Sequence, residues 1–420
     1  MRVVLGALHR WAGLFIGVFL IISGLSGAII SWDHELDEWL NPELFHARSS
    51  GAARMPDELI RAVEASDDRI AVVSYPLKFE KGHNAMLIVG PRVDPKTGEL
   101  FKLDYNQVYV DPVSLEIAGT RMWGKISLAR TDILPFLYKL HYSMHIPAFG
   151  GIERWGYWFM GMIAIVWTID CFVGLLLTMP RIRRHGSTSV APQRGWWRRW
   201  QTAWRIKKGA GLYRLNLDMH RASGLWLWPL LLVIAFSSIS LNLGDVVVRP
   251  LLSKVSILTP DPFDDKSPPL RKENLIPAQI GWQQAIDRAS AHARAQGWTE
   301  QPASIFYGRL YGLYSLRFLP PDADHSPWGI PRMLFISGAD GKIVGGRVPW
   351  EGTSADIFMQ LQFPLHSGRI AGLAGRMLIS VIGLVVAALS TTGIIIWARK
   401  KAARRAVHRA SARKPALAAG

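Results

Sequence analysis

The 420-residue chain contains one cysteine, Cys171. A disulfide scaffold, a cysteine-ligated zinc site and an iron–sulfur cluster each need several cysteines, so none of them can form within a single chain. The sequence has no C-x-x-C-H motif, which excludes covalently attached c-type haem. It also lacks a G-x-G-x-x-G motif after a strand, a P-loop and an H-E-x-x-H motif, so we expect no built-in NAD(P)H or flavin site.

Acidic residues are nearly missing from three segments, 1–10, 181–221 and 399–420. Together these segments hold 21 Lys or Arg residues and one acidic residue, Asp218, a net charge of +20 within a chain total of +17. The rest of the chain is therefore slightly acidic, at −3. By the positive-inside rule, the three basic segments and both termini face the cytoplasm. The charge thus indicates orientation in a membrane, and we expect no nucleic-acid partner.

Long hydrophobic runs are plentiful. Four of them are longer than 20 residues. Three of these four hold no charged residue, and the fourth holds one, Asp170. About 20 helical residues cross the hydrocarbon core of a bilayer, and each run exceeds that length, so each predicts a transmembrane helix in contact with lipid. The first run is too long for a signal peptide and no A-x-A site follows it before Asp33, so it is an anchor. The four runs are residues 11–32, 155–180, 222–244 and 377–398.

These runs divide the chain into alternating membrane and soluble parts. The Trp- and Arg-rich run 196–204 is typical of a helix lying in the headgroup region beside anionic lipid. The predicted parts are transmembrane helix 1 (1–32), a first outer unit (33–150), transmembrane helix 2 (151–180), a basic cytoplasmic loop (181–219), transmembrane helix 3 (220–244), a second outer unit (245–365), transmembrane helix 4 (366–398) and a basic cytoplasmic tail (399–420).

The two halves of the chain resemble each other, which predicts an internal two-fold duplication. A histidine near each return to the membrane, His141 or His366, follows the same pattern at a sequence offset of 225. Each outer unit combines an apolar helical spacing with a hairpin-like pattern, so we expect α+β folds there. The matching pairs are 9–14 with 220–225 (both H-R-x-x-G-L), 59–63 with 285–289 (helical spacing) and 108–119 with 334–345 (hairpin).

Several of these motifs resemble a known family. The V-Y-V-D-P hairpin at 108–112 resembles a PepSY unit, and four further motifs resemble PepSY-associated transmembrane-helix proteins over about residues 1–400. The resemblance implies four membrane helices plus a periplasmic α+β domain of two PepSY-like units, and a multi-pass protein of the bacterial inner membrane. One branch of the family comprises reductases of ferric siderophores that carry two b-type haems. The four motifs are H-R-x-x-G-L at 9–14, L-H-Y-S at 140–143, D-C-F-V-G-L at 170–175 and P-L-H-S-G-R at 364–369.

Five of the twelve histidines lie where a predicted span meets an interface. Ionisable groups at membrane depth are costly and usually functional, and paired neutral imidazoles suit a six-coordinate haem iron. His9 with His220 would hold one b-type haem near the cytoplasmic face, and His366 with His141 a second near the outer face. His145 stays open as the alternative outer ligand, because it lies one helical turn after His141 and would share its helix face.

Other polar and small residues of the spans have less specific roles. Asp170 could orient a ligand imidazole or hydrogen bond across the bundle. The series Gly368, Gly372 and Gly375 favours close helix packing or room for a porphyrin face over phosphate binding. The remaining seven histidines are expected on the surface or in the tail: His34, His46, His83, His185, His292, His325 and His408.

Three functions remain open on the sequence. The first is a di-haem oxidoreductase that carries electrons from a cytoplasmic flavoprotein or a quinol to a ferric chelate, such as a ferric siderophore, in the periplasm. The second is a membrane-tethered PepSY module that binds ligands or modulates proteases without redox activity. The third is a haem-bearing subunit that passes electrons to another periplasmic acceptor.

Overall fold

The computed structural model describes residues 1–150, 152–181, 195–209, 211–260, 262–263, 275–321, 323 and 329–418, with side chains up to residue 407. A bundle of long apolar helices carries an antiparallel sheet domain at one end. The prediction of membrane helices plus an α+β domain is therefore confirmed. Residues 182–194 and 210 of the basic loop, which include His185, lie outside the described residues, as do His325 and the side chain of His408.

The described helices of residues 1–150 are α1 (Arg2–Ile30), α2 (Asp33–Leu40), α3 (Pro42–Phe45), α4 (Pro56–Ser66) and α5 (Ile133–Ser143). The remaining described helices are α6 (Trp155–Thr178), α7 (Trp196–Trp200), α8 (Leu212–Trp226), α9 (Trp228–Leu243), α10 (Arg249–Leu252), α11 (Trp282–Ala295), α12 (Ser354–Ser367) and α13 (Gly372–Ala418). Short 3₁₀ turns at 201–204 and 369–371 and a π-helical turn at 244–248 join some of them.

Among the described residues, four helical segments are long and apolar enough to cross a membrane: Arg2–Ile30, Trp155–Thr178, Trp228–Leu252 and Arg369–Val407. The third differs from the predicted 220–244, because His220 lies on α8, which ends at Trp226. Pro229 explains the break, since proline fits the first turn of a new helix and cannot donate the hydrogen bond that would continue the old one. The last helix continues past residue 398, because Ala, Arg and Lys are strong helix formers.

The soluble domain is one sheet of eight antiparallel strands in the order β4-β3-β2-β1-β5-β6-β7-β8. Its two halves join where β1 pairs with β5, through Ser74–Phe306 and Tyr75–Ile305. The two predicted outer units therefore share one continuous sheet. The strands are β1 (Ile70–Pro76), β2 (Ala85–Pro91), β3 (Gln107–Val110), β4 (Ile117–Arg121), β5 (Gln301–Gly308), β6 (Leu313–Leu319), β7 (Arg332–Ser337) and β8 (Ile343–Arg347).

Helices α4 and α11 cover one face of this sheet. Leu59 and Val63 of α4 and Ala285 and Ala289 of α11 are buried in the same core, together with Leu316 of β6. These are the apolar positions that the helical spacing of the sequence marked. Burial at the i, i+4 spacing of each helix is what an amphipathic helix on a sheet requires.

In the bundle, α1 packs along α13 at a glycine contact. A Cβ atom at Gly24 would lie 2.5 Å from the carbonyl oxygen of Gly383, and the reverse contact is equally short. The turn between α12 and α13 is also tight, because a Cβ at Gly368 would clash with the backbone of Gly375. Gly368 and Gly375 thus serve close backbone packing, one of the two roles expected for this series, whereas Gly372 has no atom within 4 Å of an added Cβ and a positive φ of 59°.

Candidate functional site: two histidine pairs

The first histidine pair joins α1 and α8. The ring centres of His9 and His220 are 6.2 Å apart, with the ring planes at 52°. Nδ1–H of His9 donates to Oδ1 of Asp170 at 2.8 Å. Nδ1–H of His220 donates to the carbonyl oxygen of Leu389 and lies 3.0 Å from Oγ1 of Thr392. Carboxylate and carbonyl oxygens only accept, so each bond places the proton of a neutral ring on Nδ1 and leaves a lone pair on Nε2.

The second pair joins α5 and α12 at the end of the bundle nearest the sheet, which we call the sheet end. The ring centres of His141 and His366 are 6.1 Å apart, with the planes at 59°. Nδ1–H of His141 donates to the carbonyl oxygen of Ser23 at 2.9 Å. Nδ1 of His366 lies 3.1 Å from Oγ of Ser237, whose own hydroxyl proton is donated to the Ile234 carbonyl. Both rings therefore present Nε2 lone pairs, as in the first pair.

His145 is not part of the sheet-end pair. Helix α5 ends at Ser143, and Met144 and His145 both adopt left-handed backbone angles, with φ of 51° and 53°. The expectation that His141 and His145 share one helix face is therefore wrong. Nε2–H of His145 donates to the carbonyl oxygen of Phe136 at 2.9 Å, and its ring stacks on the Phe136 ring.

Glycines give the paired imidazoles room between the helices. A Cβ atom at Gly27 would lie 2.8 Å from Cε1 of His141, closer than packed atoms approach. A Cβ at Gly393 would lie 3.2 Å from Cε1 of His220, and one at Gly174 would lie 3.6 Å from Cε1 of His9. These helices can pass the imidazoles closely because side chains are missing at these points.

The two histidine pairs lie toward opposite ends of the helix bundle. Helix α1 contacts both pairs, because it carries His9 of the first pair and Ser23, whose backbone carbonyl accepts a hydrogen bond from His141 of the second. At about 1.5 Å per residue, the stretch of α1 between these two contacts is about 21 Å long. The hydrocarbon core of a bilayer is about 30 Å thick, so the two pairs together span most of it.

The sheet-end pair lines a cavity of about 300 Å³ between the helices. A second cavity of about 370 Å³ lies between the sheet and helices α2 and α5, and we call it the outer cavity. Asp33 and Tyr138 line both, so the two cavities are adjacent. Burial raises the pKa of the Asp33 carboxyl, against the opposing effect of the Arg369 charge.

The outer cavity is polar on the side of the sheet. Its polar wall includes Lys78, His83, Asn84, Gln107 and Arg121. Arg121 is not available to a ligand as a free cation, because it donates to both carboxylate oxygens of buried Asp37 at 2.7 and 3.0 Å. The exposed ammonium of Lys78 donates to two backbone carbonyls of the 321–323 segment.

A comparison with family models finds a match to the PepSY-associated TM region over residues 7–400. The chain belongs to this family. It is therefore a multi-pass membrane protein, as the sequence motifs predicted. A comparison with curated proteins finds no match. Membership in the PepSY-associated TM region family assigns the membrane architecture. The function has to be inferred from the two histidine pairs.

Asp170, which begins the family motif at 170–175, is the acceptor for His9, as one of its two predicted roles required. The hydrogen-bond partners of the other three histidines could not be identified from the family motifs. Two of the Nδ1 acceptors, at Ser23 and Leu389, are backbone carbonyls, which any residue type supplies. One signal was available: Ser26 and Ser237, which lie against His141 and His366, are separated by the same sequence offset as the two histidines of the first pair. The duplication itself stays a prediction, and these matching contacts agree with it.

Proposed function

We propose that this membrane protein holds two b-type haems, one between His9 and His220 and one between His141 and His366, and reduces a ferric chelate on its sheet side. The observation that carries the proposal is the spacing of the imidazoles within each pair. A metal–imidazole bond of about 2 Å, with the ring centre about 1.1 Å beyond the nitrogen, puts two ligand rings on opposite sides of one metal ion about 6.2 Å apart. The ring centres are separated by 6.2 and 6.1 Å.

The hydrogen bonds of the four rings also fit haem ligation. Metal-binding histidines usually donate their other N–H to a carboxylate or a carbonyl, which fixes the tautomer and the orientation of the ring. His9, His141 and His220 do so through Nδ1. Within the described part of the chain, no hydrogen bond engages Nε2 of any of the four rings.

Haem iron, when bound, would supply one-electron redox chemistry, and the protein residues determine where that chemistry takes place. Asp170 holds the His9 ring by a charge-assisted hydrogen bond and makes it a more basic ligand. Bis-histidine ligation leaves no open coordination position, which suits electron transfer and not oxygen chemistry.

The outer cavity is the proposed place for the ferric chelate. It adjoins the cavity of the sheet-end pair through Asp33 and Tyr138, so a bound chelate would lie beside the outer redox centre. The proposed reaction adds one electron to chelated Fe(III) and yields Fe(II), which oxygen-rich chelators hold less tightly. A cytoplasmic flavoprotein or a membrane quinol would supply the electron, with the basic termini on the cytoplasmic side and the sheet in the periplasm of a bacterial inner membrane.

Optical spectroscopy of the purified chain in detergent tests the haem sites. We expect about two b-type haems per chain, with the spectrum of six-coordinate iron. His220→Ala is expected to remove one haem and His366→Ala the other, whereas His145→Ala should keep both because Nε2 of His145 is bonded to a backbone carbonyl. Haem-free protein from haem-replete cells, or equal haem content in all variants, would contradict the proposal and favour a PepSY module without redox activity.

The choice of acceptor needs a kinetic experiment. The dithionite-reduced protein is mixed anaerobically with a ferric hydroxamate siderophore, and reoxidation is followed in the Soret band. We expect reoxidation together with the appearance of Fe(II), trapped by a chromophoric ferrous chelator. Reoxidation by a soluble redox protein but not by ferric chelates would instead assign the chain to electron delivery to another periplasmic acceptor.

A further inference from the structure

Two histidines and a glutamate outside the haem pairs converge beside the outer cavity. Glu38 lies on α2, His46 follows α3, and His83 lies in the loop between β1 and β2. Both histidines were expected on the surface. One ligand atom from each of the three side chains lies within 4.8 Å of the others. We call this group the Glu38–His46–His83 cluster.

The distances within the cluster fit a common metal ion. Oε1 of Glu38 is 2.9 Å from Nε2 of His83 and 3.5 Å from Nε2 of His46. With bonds of about 2.0–2.1 Å, neighbouring ligands lie about 2.8–3.0 Å apart around an octahedral ion and about 3.3–3.4 Å apart around a tetrahedral one. The two distances from the glutamate oxygen are close to these values, and all three donor atoms lie within 4.8 Å of one another.

The backbone presets the two imidazoles on the same side. His46 and His83 face each other in an isolated antiparallel bridge, and their ring centres are 5.0 Å apart. Asn84 N–H donates to the Phe45 carbonyl at 2.7 Å, and Ala47 N–H donates to the Gly82 carbonyl at 2.9 Å. Directly opposed residues of such a bridge project their side chains together. The chain thus fixes two of the three ligands before any ion binds.

Glu38 is positioned by a separate interaction, an ion pair of the residue before it. The residue before it, Asp37, is buried and paired with Arg121 of β4, which anchors α2 against the sheet. On the far side of the His83 ring, Nδ1 lies 3.4 Å from the Lys81 carbonyl and 3.6 Å from a Glu80 carboxylate oxygen. Such a partner behind the ring is the usual arrangement for a metal-binding histidine.

We propose that Glu38, His46 and His83 bind a divalent first-row transition-metal ion. Two imidazole nitrogens and one carboxylate are a donor set that suits Fe(II) and Zn(II), with further positions left for water. His46 is half exposed and Glu38 is 27% exposed, so an ion can enter from solvent. His83 also lines the outer cavity. If the proposed function holds, on which this assignment of the occupant rests, the ion is the Fe(II) released there after reduction.

Metal titration of the haem-loaded full chain in detergent tests the site without reference to activity. Fe(II), added anaerobically, is measured by equilibrium dialysis, and Zn(II) is measured in parallel by competition with a chromophoric chelator. We expect His46→Ala and Glu38→Gln to weaken binding of one ion at least tenfold. Glu38→Gln keeps an oxygen acceptor for His83 and removes only the charge, so loss of binding in this variant does not reflect misfolding. His292→Ala, a histidine of α11 away from the cluster, is the matched control.

The outcomes separate the two proposals. Equal Fe(II) and Zn(II) binding by wild-type protein and by all three variants would overturn the metal site, whatever the reductase assay shows. Loss of binding in the two cluster variants supports the site even if ferric chelates are not reduced, in which case the proposed function fails alone. If both hold, release of Fe(II) to a chromophoric chelator after reduction should be faster in His46→Ala than in wild type.

Discussion

The buried ion pair between Asp37 and Arg121 gives the sharpest prediction on the sheet domain. Their side chains are 9% and 6% exposed, and the shortest contact between them is 2.7 Å. Arg121 also donates to Oε1 of Gln107 at 2.7 Å and to the Thr131 carbonyl at 3.1 Å, while Asn41 donates to Asp37 at 2.8 Å. The pair thus ties α2 to β3, β4 and the approach to α5.

Replacing Arg121 by Met leaves the Asp37 carboxylate buried with the Asn41 amide as its remaining described side-chain partner. Removal of one partner of a buried ion pair costs about 3–5 kcal/mol, because the other charge stays desolvated. At about 1.4 kcal/mol per factor of ten, the opening equilibrium of this region should increase about 10²- to 4 × 10³-fold. Replacing both residues, as Asp37→Leu with Arg121→Met, should recover much of that loss, since paired removal of buried charges is often neutral.

Hydrogen–deuterium exchange of the detergent-solubilised chain is the suitable assay, because membrane proteins often unfold irreversibly and a global unfolding free energy is then undefined. Amides of β3 and β4 should lose protection in Arg121→Met, whereas those of β6 and β7, in the other half of the sheet, should not. Unchanged protection in β3 and β4 would refute the reasoning. So would a double variant that exchanges faster than the single one.

Two further predictions concern the sheet-end pair and the pH dependence of the sheet domain. Gly27→Ala puts a Cβ atom 2.8 Å from Cε1 of His141, so we expect it to displace that ring and to lower the haem content from two per chain to one. Gly6→Ala is the control, because its Cβ would have no atom within 4 Å, and it should keep both haems. Equal haem contents of the two variants in the pyridine haemochrome assay would contradict this prediction. Hydrogen bonding to Arg69 holds the pKa of Asp67 well below its usual 3.8, so its stabilising contribution is present above that value and is lost as pH falls below it. Exchange in β1 should therefore rise more steeply with acid in wild type than in Asp67→Asn.

Local patterns were sufficient to predict the bundle and most of the sheet. The four apolar runs and the hairpins at 108–119 and 334–345 depend on neighbouring residues, and all of them are present as helices and strand pairs. The join between β1 and β5 could not be predicted, because it links the two halves of the chain without a sequence signature. It turns two expected units into one sheet.

The candidate sites also divide into features that the sequence predicted and features that depend on contacts between distant segments. The pairing of His9 with His220 and of His141 with His366 was predicted from their positions at the two ends of the spans, with support from the repeat, and the paired rings lie next to each other. The place of His145 was missed because the end of α5 just before Met144 decides it, and two left-handed residues leave little local trace. The Glu38–His46–His83 cluster was missed because its members come from three segments that meet only through the bridge between His46 and His83.

The offsets between matching residues explain why one alignment of the two halves cannot find the whole site. Contacts within the bundle recur at an offset of 211, as with His9 and His220, whereas His141 and His366 are related by an offset of 225. The chain between the span and the sheet is therefore longer in the second half. A single offset of 225 would match His9 to Ile234, which at about 1.5 Å per residue lies about 21 Å further along the helices than His220. The His9–His220 pair and the sheet-end pair must be sought separately, because each pair keeps its sequence offset only with the helices that carry it.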